Sequence, residues 1–201
     1  MPRRRFTRAE LESFRDAEVP DLLPSNGQAL RLLFVGINPG LWTAATQTHF
    51  AHPGNRFYPA LELAGIVQRT IDPSAGMTDQ DRDHLRELGI GITNFVRRAT
   101  ARADELSRAE LREGGEELRA TVRRTQPEVL AVAGITAYRD AFGLRKAQAG
   151  RQPEPLEGAT LWVVPNPSGL NAHETVGTLA RAYAAPATEA GLVLSPIGER
   201  Q

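Results

Sequence analysis

Four short apolar runs punctuate the chain: ALRLLFVGI (Ala29–Ile37), LGIGITNFV (Leu88–Val96), PEVLAVAG (Pro127–Gly134) and ATLWVVPN (Ala159–Asn166). Each is near-continuously apolar and rich in Val, Ile or Leu, a pattern that predicts strands buried on both faces of a parallel sheet. Between them the periodicity turns helical. TDQDRDHLREL (Thr78–Leu88) opens on a threonine, carries acids in its first turn and stops at Gly89. LSRAELREGGEELRATVRRTQ (Leu106–Gln126) begins beside an N-cap residue, Ser107, and sets Leu111, Leu118 and Val122 near one face. Its Gly114-Gly115 pair is expected to weaken or bend it. HETVGTLARAYAAPA (His173–Ala187) predicts a last helix that Pro186 ends or kinks.

Strands alternating with helices of this length imply right-handed crossovers and a three-layer α/β/α architecture with a mostly parallel central sheet. Segments 17–28, 66–77 and 145–158, rich in Pro, Gly and polar residues, read as loops. The length suits a single domain over residues 1–201, with 1–28 and 188–201 as loosely ordered or peripheral ends. In such sheets ligands bind beyond the carboxyl ends of the strands. Two strands end there in unusual chemistry, Gly36-Ile-Asn-Pro-Gly40 and Asn166-Pro-Ser-Gly-Leu170, and a third ends near Asn94.

Composition narrows the chemistry. With no cysteine in the chain, disulfides, thiolate metal sites, iron–sulfur clusters and a cysteine nucleophile are excluded. No apolar run approaches the roughly 20 residues of a membrane helix. Arg3 to Arg5 have no apolar stretch behind them, so the N-terminus does not read as a secretory signal, and the expected compartment is the cytoplasm. The 24 basic and 24 acidic residues cancel, so any phosphate-binding face must be local. Arg97-Arg98 and Arg123-Arg124 read as phosphate contacts or as exposed faces.

An Asn-Pro turn can simply redirect the chain. Two of them at strand ends of one parallel sheet, however, would bring two amides to one rim. An amide offers donors and an acceptor without charge, which suits a heterocycle edge or an oriented water. GINPG contains neither G-x-G-x-x-G nor G-x-x-x-x-G-K-[ST], and Pro39 lacks the N–H that a phosphate would want. No G-x-S-x-G elbow is present. The segment Leu41–Ala60 reads as a Gly/Pro/Thr-rich loop carrying Thr43, Phe50 and His49-x-x-His52. That histidine spacing occurs in metal sites, but neither cysteines nor an acidic cluster stand by to complete one, and no metal is expected. His84, in a charged helix, reads as solvated.

GINPG, FAHPGNRF (Phe50–Phe57), GITNFVRRAT (Gly91–Thr100) and PNPSGLNAH (Pro165–His173), in this order, resemble the mismatch-specific uracil/thymine DNA glycosylases of the bacterial G:U type. The similarity runs from about Leu30 to Tyr183. It implies excision of uracil, and of thymine or modified cytosines as further candidates, from mispairs with guanine in duplex DNA, without metal or cofactor. The implied partners are mismatched or damaged duplex and the enzymes that process abasic sites; a monomer is expected.

The resemblance also carries residue roles. It implies that Asn38 positions the attacking water, that Asn166 lies near the pyrimidine carbonyl as negative charge grows, and that Phe50 stacks on an extruded base. Asn94 would face the pyrimidine edge and Thr43 its C5 position, with Ile37 and Gly40 completing the base pocket. Ser168, Gly169, Leu170 and Asn171 match the loop that enters the duplex, Leu170 being the wedge. Close relatives often follow the wedge with Ser-Arg, where this chain has Asn171-Ala172-His173. No lysine lies in the four motifs, which argues against a Schiff-base lyase step. Two rivals remain at this level: a lesion-binding protein with little turnover, and a hydrolase of free nucleosides or nucleotides.

Overall fold

The computed structural model describes residues 5–25 and 27–195. Arg3, Arg4 and the far C-terminal part of the peripheral segment, 196–201, lie outside the described residues. Among those described, five strands form one sheet: β1 (Leu32–Gly36), β2 (Ile90–Asn94), β3 (Val129–Ala133), β4 (Gly150–Arg151) and β5 (Thr160–Val164). Their spatial order is β2-β1-β3-β5-β4. All pairings are parallel except β4 with β5, so the sheet is mostly parallel as expected. The two-residue β4 falls within the segment 145–158 that reads as a loop. It is too short to leave a periodic signal.

The strands alternate their side chains between two apolar layers. Leu32 and Phe34 of β1 point to one layer with Phe57, Tyr58, Leu61, Leu179 and Tyr183. Leu33 and Val35 point to the other with Leu111, Leu118, Val122 and Tyr138. The first layer holds α3 (Phe57–Leu63) and α7 (Val176–Glu189), and the second holds α5 (Arg108–Thr125) and α6 (Ile135–Phe142). That is why β1 and β3 are buried at every position.

The helix expected over Thr78–Leu88 forms as α4 (Asp79–Glu87), with Thr78 and Asp81 in a capping box. One expectation is corrected and two are narrowed. Leu41–Ala60 is not simply a loop: α2 (Leu41–Thr46) and the start of α3 lie in it, and Pro59 is accommodated in the first turn of α3, where its missing N–H is not needed. Pro186 does not end α7, which continues to Glu189. Gly114-Gly115 do not interrupt α5, because both face inward at close approaches. A Cβ on Gly114 would collide with the Phe95 carbonyl, and one on Gly115 would stand 3.0 Å from the Ala141 carbonyl oxygen. The glycines cost helix propensity but let α5 sit directly against the residue after Asn94. Gly114→Ala is therefore expected to lower stability by roughly 1–3 kcal/mol through overpacking. A thermal melt unchanged from wild type would contradict that contact.

The N-terminal segment is more than peripheral. The short α1 (Arg8–Glu12) is closed by a Thr7/Glu10 capping box. Isolated bridges tie Glu18 to Arg98 and Leu22 to Ile92, and Val19 and Leu22 are buried. At the other end Ala190 and Leu192 are buried behind α7. His84 is half-buried, not solvated, with Nε2 enclosed and unpartnered; burial lowers its pKa.

Candidate active site

The chain runs from β1 to β2 on one side and then crosses to β3 on the other, so the order reverses at the carboxyl ends of β1 and β3. A cleft of about 1040 Å³ opens there. Its walls include Gly36, Ile37, Asn38, Gly40, Thr43, Phe50, Asn94, Asn166, Ser168, Gly169 and Leu170. The four sequence motifs, far apart in the chain, thus converge on one cavity. Asn171 is the exception among the candidate residues. It does not line the cleft; its Nδ2 donates to the Asn166 carbonyl at 3.1 Å. Arg8, Leu11 and Glu12 of α1, with Arg15 in the turn after it, form a further wall that the sequence does not announce.

Asn38 stands just past β1 with its amide hydrogens committed. Nδ2 donates to Thr100 Oγ1 at 2.7 Å and to the Arg98 carbonyl at 3.1 Å. The Thr100 hydroxyl in turn donates to the Arg102 carbonyl at 2.8 Å, so it must accept from Asn38. Among the described residues no donor reaches Asn38 Oδ1, which leaves a fixed acceptor at the cleft wall. The Arg98 side chain holds this scaffold, paired with Glu110 and with Asp16, and Arg97 pairs with Asp21. Arg123 pairs with Glu157. For Arg97, Arg98 and Arg123, ion-paired surface is the reading that the geometry supports.

Asn166 is committed in the opposite sense. Its Oδ1 accepts the Ser168 N–H at 2.9 Å, closing an Asx turn, and Nδ2 is left as the donor. One rim therefore carries an amide fixed as acceptor and another fixed as donor.

Phe50 sits between core and cavity. Its ring stacks on Phe57, with centroids 4.1 Å apart and planes at 26°, while the residue also lines the cleft. Its φ of 55° is a left-handed conformation that a bulky residue seldom holds. The preceding carbonyl, of His49, accepts the buried Tyr58 hydroxyl at 2.9 Å, which fixes that peptide. Beneath the ring Gly36 makes room: a Cβ there would clash with Asn94 Oδ1 and stand 3.3 Å from Phe50 Cζ.

His49 and His52 do not act as a pair. His49 is buried, with Nε2 2.9 Å from the Pro20 carbonyl and Nδ1 3.2 Å from Asn94 Nδ2, and burial lowers its pKa. His52 Nδ1 accepts the Gly54 N–H. Among the described residues no group of three or more His, Cys, Asp or Glu could hold a metal ion.

Leu170 is 84 % exposed. The loop beneath it is braced, since Arg56 donates to the carbonyls of Ser168 and Asn171 at 3.4 and 3.0 Å. A Cβ on Gly169 would stand 2.6 Å from the Gly54 carbonyl, so the two loops pack backbone to backbone. Arg56 caps α3, whose first residue is Phe57, so the loop of Leu170 and the Phe50 ring rest on one support. Sequence reasoning missed Gly36, Arg56 and Thr100 because each acts on a distant residue. Trp42, Arg15 and Arg102 complete the mouth, the latter two held by Glu105 and Asp104. The model of the Uracil DNA glycosylase superfamily matches residues 24–186, from just ahead of β1 into the last turns of α7, and the chain belongs to that superfamily of DNA glycosylases.

Proposed function

We propose that this protein is a monofunctional glycosylase of the G:U mismatch-specific type, flipping uracil out of duplex DNA and hydrolysing its glycosidic bond. The observation that carries the reading is the opposed commitment of the two amides, Asn38 fixed as acceptor and Asn166 as donor. As the bond between C1′ and the base nitrogen breaks, its electron pair leaves with the base and the sugar becomes cation-like. Asn166 Nδ2 donates to the carbonyl where negative charge gathers. Asn38 Oδ1 accepts one hydrogen of a water and points its oxygen at C1′. The amide is too weak a base to take the proton, which passes to solvent once the new C–O bond forms. Orientation suffices because the sugar is so electrophilic.

Extrusion costs a few kcal/mol, least for a mispaired base. The exposed Leu170 on its braced loop fits a wedge that fills the vacated stack. A hydrolase of free nucleosides has no use for it. Leu170→Ala is expected to slow cleavage in duplex far more than in single strands that are cut at all, with no change in melting. Equal losses on both substrates would assign Leu170 to the pocket and not to the stack.

Strand scission by alkali, after incubation with uracil opposite guanine, uracil opposite adenine, single-stranded uracil and thymine opposite guanine, tests the substrate class. Preferential cleavage of uracil opposite guanine is expected. Tight binding without scission would favour a lesion-binding protein, and release of uracil from free deoxyuridine would favour a nucleoside hydrolase. The product would pass to enzymes that process abasic sites, and a single protomer contains every residue invoked.

A further inference from the structure

Asn94 could read two kinds of pyrimidine. An amide that presents its oxygen to N3 and an N–H to O4 fits the edge of uracil or thymine. Turned over by 180°, it fits cytosine, whose N3 accepts and whose N4 donates. A glycosylase with a free amide at this position would therefore admit the commonest wrong base. What holds the amide one way round is a chain of hydrogen bonds behind it.

From that chain we infer that His49 is a specificity-determining positioning residue, locking Asn94 in the uracil-reading orientation. The inference rests on the glycosylase reading above. The Pro20 carbonyl can only accept, so the hydrogen of the neutral imidazole is on Nε2, 2.9 Å away. Nδ1 is then a bare acceptor, and the group 3.2 Å from it must be the Asn94 NH2. Asn94 Oδ1 is thereby turned over Gly36 and beside the Phe50 ring, where the cleft has room for it only because Gly36 has no side chain. One N–H and the oxygen remain for the base.

Turning the amide over would set its oxygen against the Nδ1 lone pair. Moving the imidazole hydrogen to Nδ1 would instead set Nε2 against the Pro20 carbonyl. Either way two acceptors meet in a buried place, with the cost of an unmade hydrogen bond. Charging the ring would relieve both, but burial disfavours the charged form. The far end of the chain is itself fixed. Asp21, next to Pro20, accepts from Thr93 Oγ1 at 2.7 Å and pairs with Arg97, and Val19 is buried. Pro20 precedes the region matched to the superfamily, so the lock is anchored in this chain's own N-terminal segment.

The test measures binding of duplexes carrying 2′-fluoroarabino-uridine or 2′-fluoroarabino-cytidine opposite an abasic site. The fluorine blocks cleavage, and the missing partner equalises the cost of extrusion. Wild type should prefer the uracil analogue by about tenfold or more, and His49→Phe should shrink that ratio by about tenfold with the cytosine analogue bound no more weakly. If wild type shows the preference and a folded His49→Phe keeps it, the lock is wrong while the glycosylase reading stands. If wild type shows no preference, both fall. Imidazole 15N shifts in the unsubstituted protein provide a second readout that does not depend on the variant folding. The expected result is a hydrogen on Nε2 and a bare Nδ1; a hydrogen on Nδ1 overturns the lock.

Discussion

Asn38→Ala is expected to slow single-turnover cleavage of a uracil-containing duplex roughly a hundredfold or more, the scale on which misplacement of a reacting group is felt. Binding to the same duplex should change little. The asparagine spends its hydrogens on Thr100 and the Arg98 carbonyl, so its oxygen alone is left to accept, and the proposed role asks it to hold a water and not the base. Asn38→Asp separates orientation from simple space filling. It keeps the shape but sets a carboxylate oxygen where a donor stood, against two acceptors. Thr100 can turn its hydroxyl to the carboxylate only by giving up the Arg102 carbonyl. The variant should therefore lose activity despite offering a stronger base. Full activity in either variant would remove Asn38 from the mechanism.

Phe50→Ala should carry the second-largest effect, roughly a tenfold to hundredfold loss in capture of the flipped base, since base–aromatic stacking contributes about 1–3 kcal/mol. The same change opens a hole beside Phe57, so some stability goes with it, though less than the roughly 3–5 kcal/mol of a wholly buried phenylalanine. Phe50→Leu divides the two contributions. Leucine keeps most of the apolar contact with Phe57 and offers no flat face to a base. A near-normal melting temperature with base capture still impaired is the expected result. Activity that merely tracks melting in both variants would make Phe50 a core residue.

Much of the fold was legible because burial on both faces leaves an uninterrupted apolar run, as in Leu32–Gly36 and Val129–Ala133. The strand order was not, because it depends on crossovers that no local pattern records. Helix α2, six residues with two threonines and no side-chain cap, is too short to show a period. Gly114 and Gly115 look like mere weak points of the helix until the neighbour they admit is known. At the site, Asn38, Phe50 and Asn166 could be singled out from turn chemistry and from resemblance. Their orientations could not. The partner that turns Asn38 is 62 residues away, and the histidine behind Asn94 is 45 residues away. His49 read as half of an unfinished metal pair, whereas its contacts are a carbonyl and an amide.

A cleft lined by Asn38 as acceptor and Asn166 as donor should release uracil from duplex DNA by hydrolysis unaided by metal. To measure this, excess protein is mixed with a duplex bearing one uracil opposite guanine, in the presence of a chelator, and free uracil and alkali-labile sites are followed together. One uracil released and one alkali-labile site formed per duplex is the predicted result. Intact duplex after prolonged incubation with folded protein would contradict it.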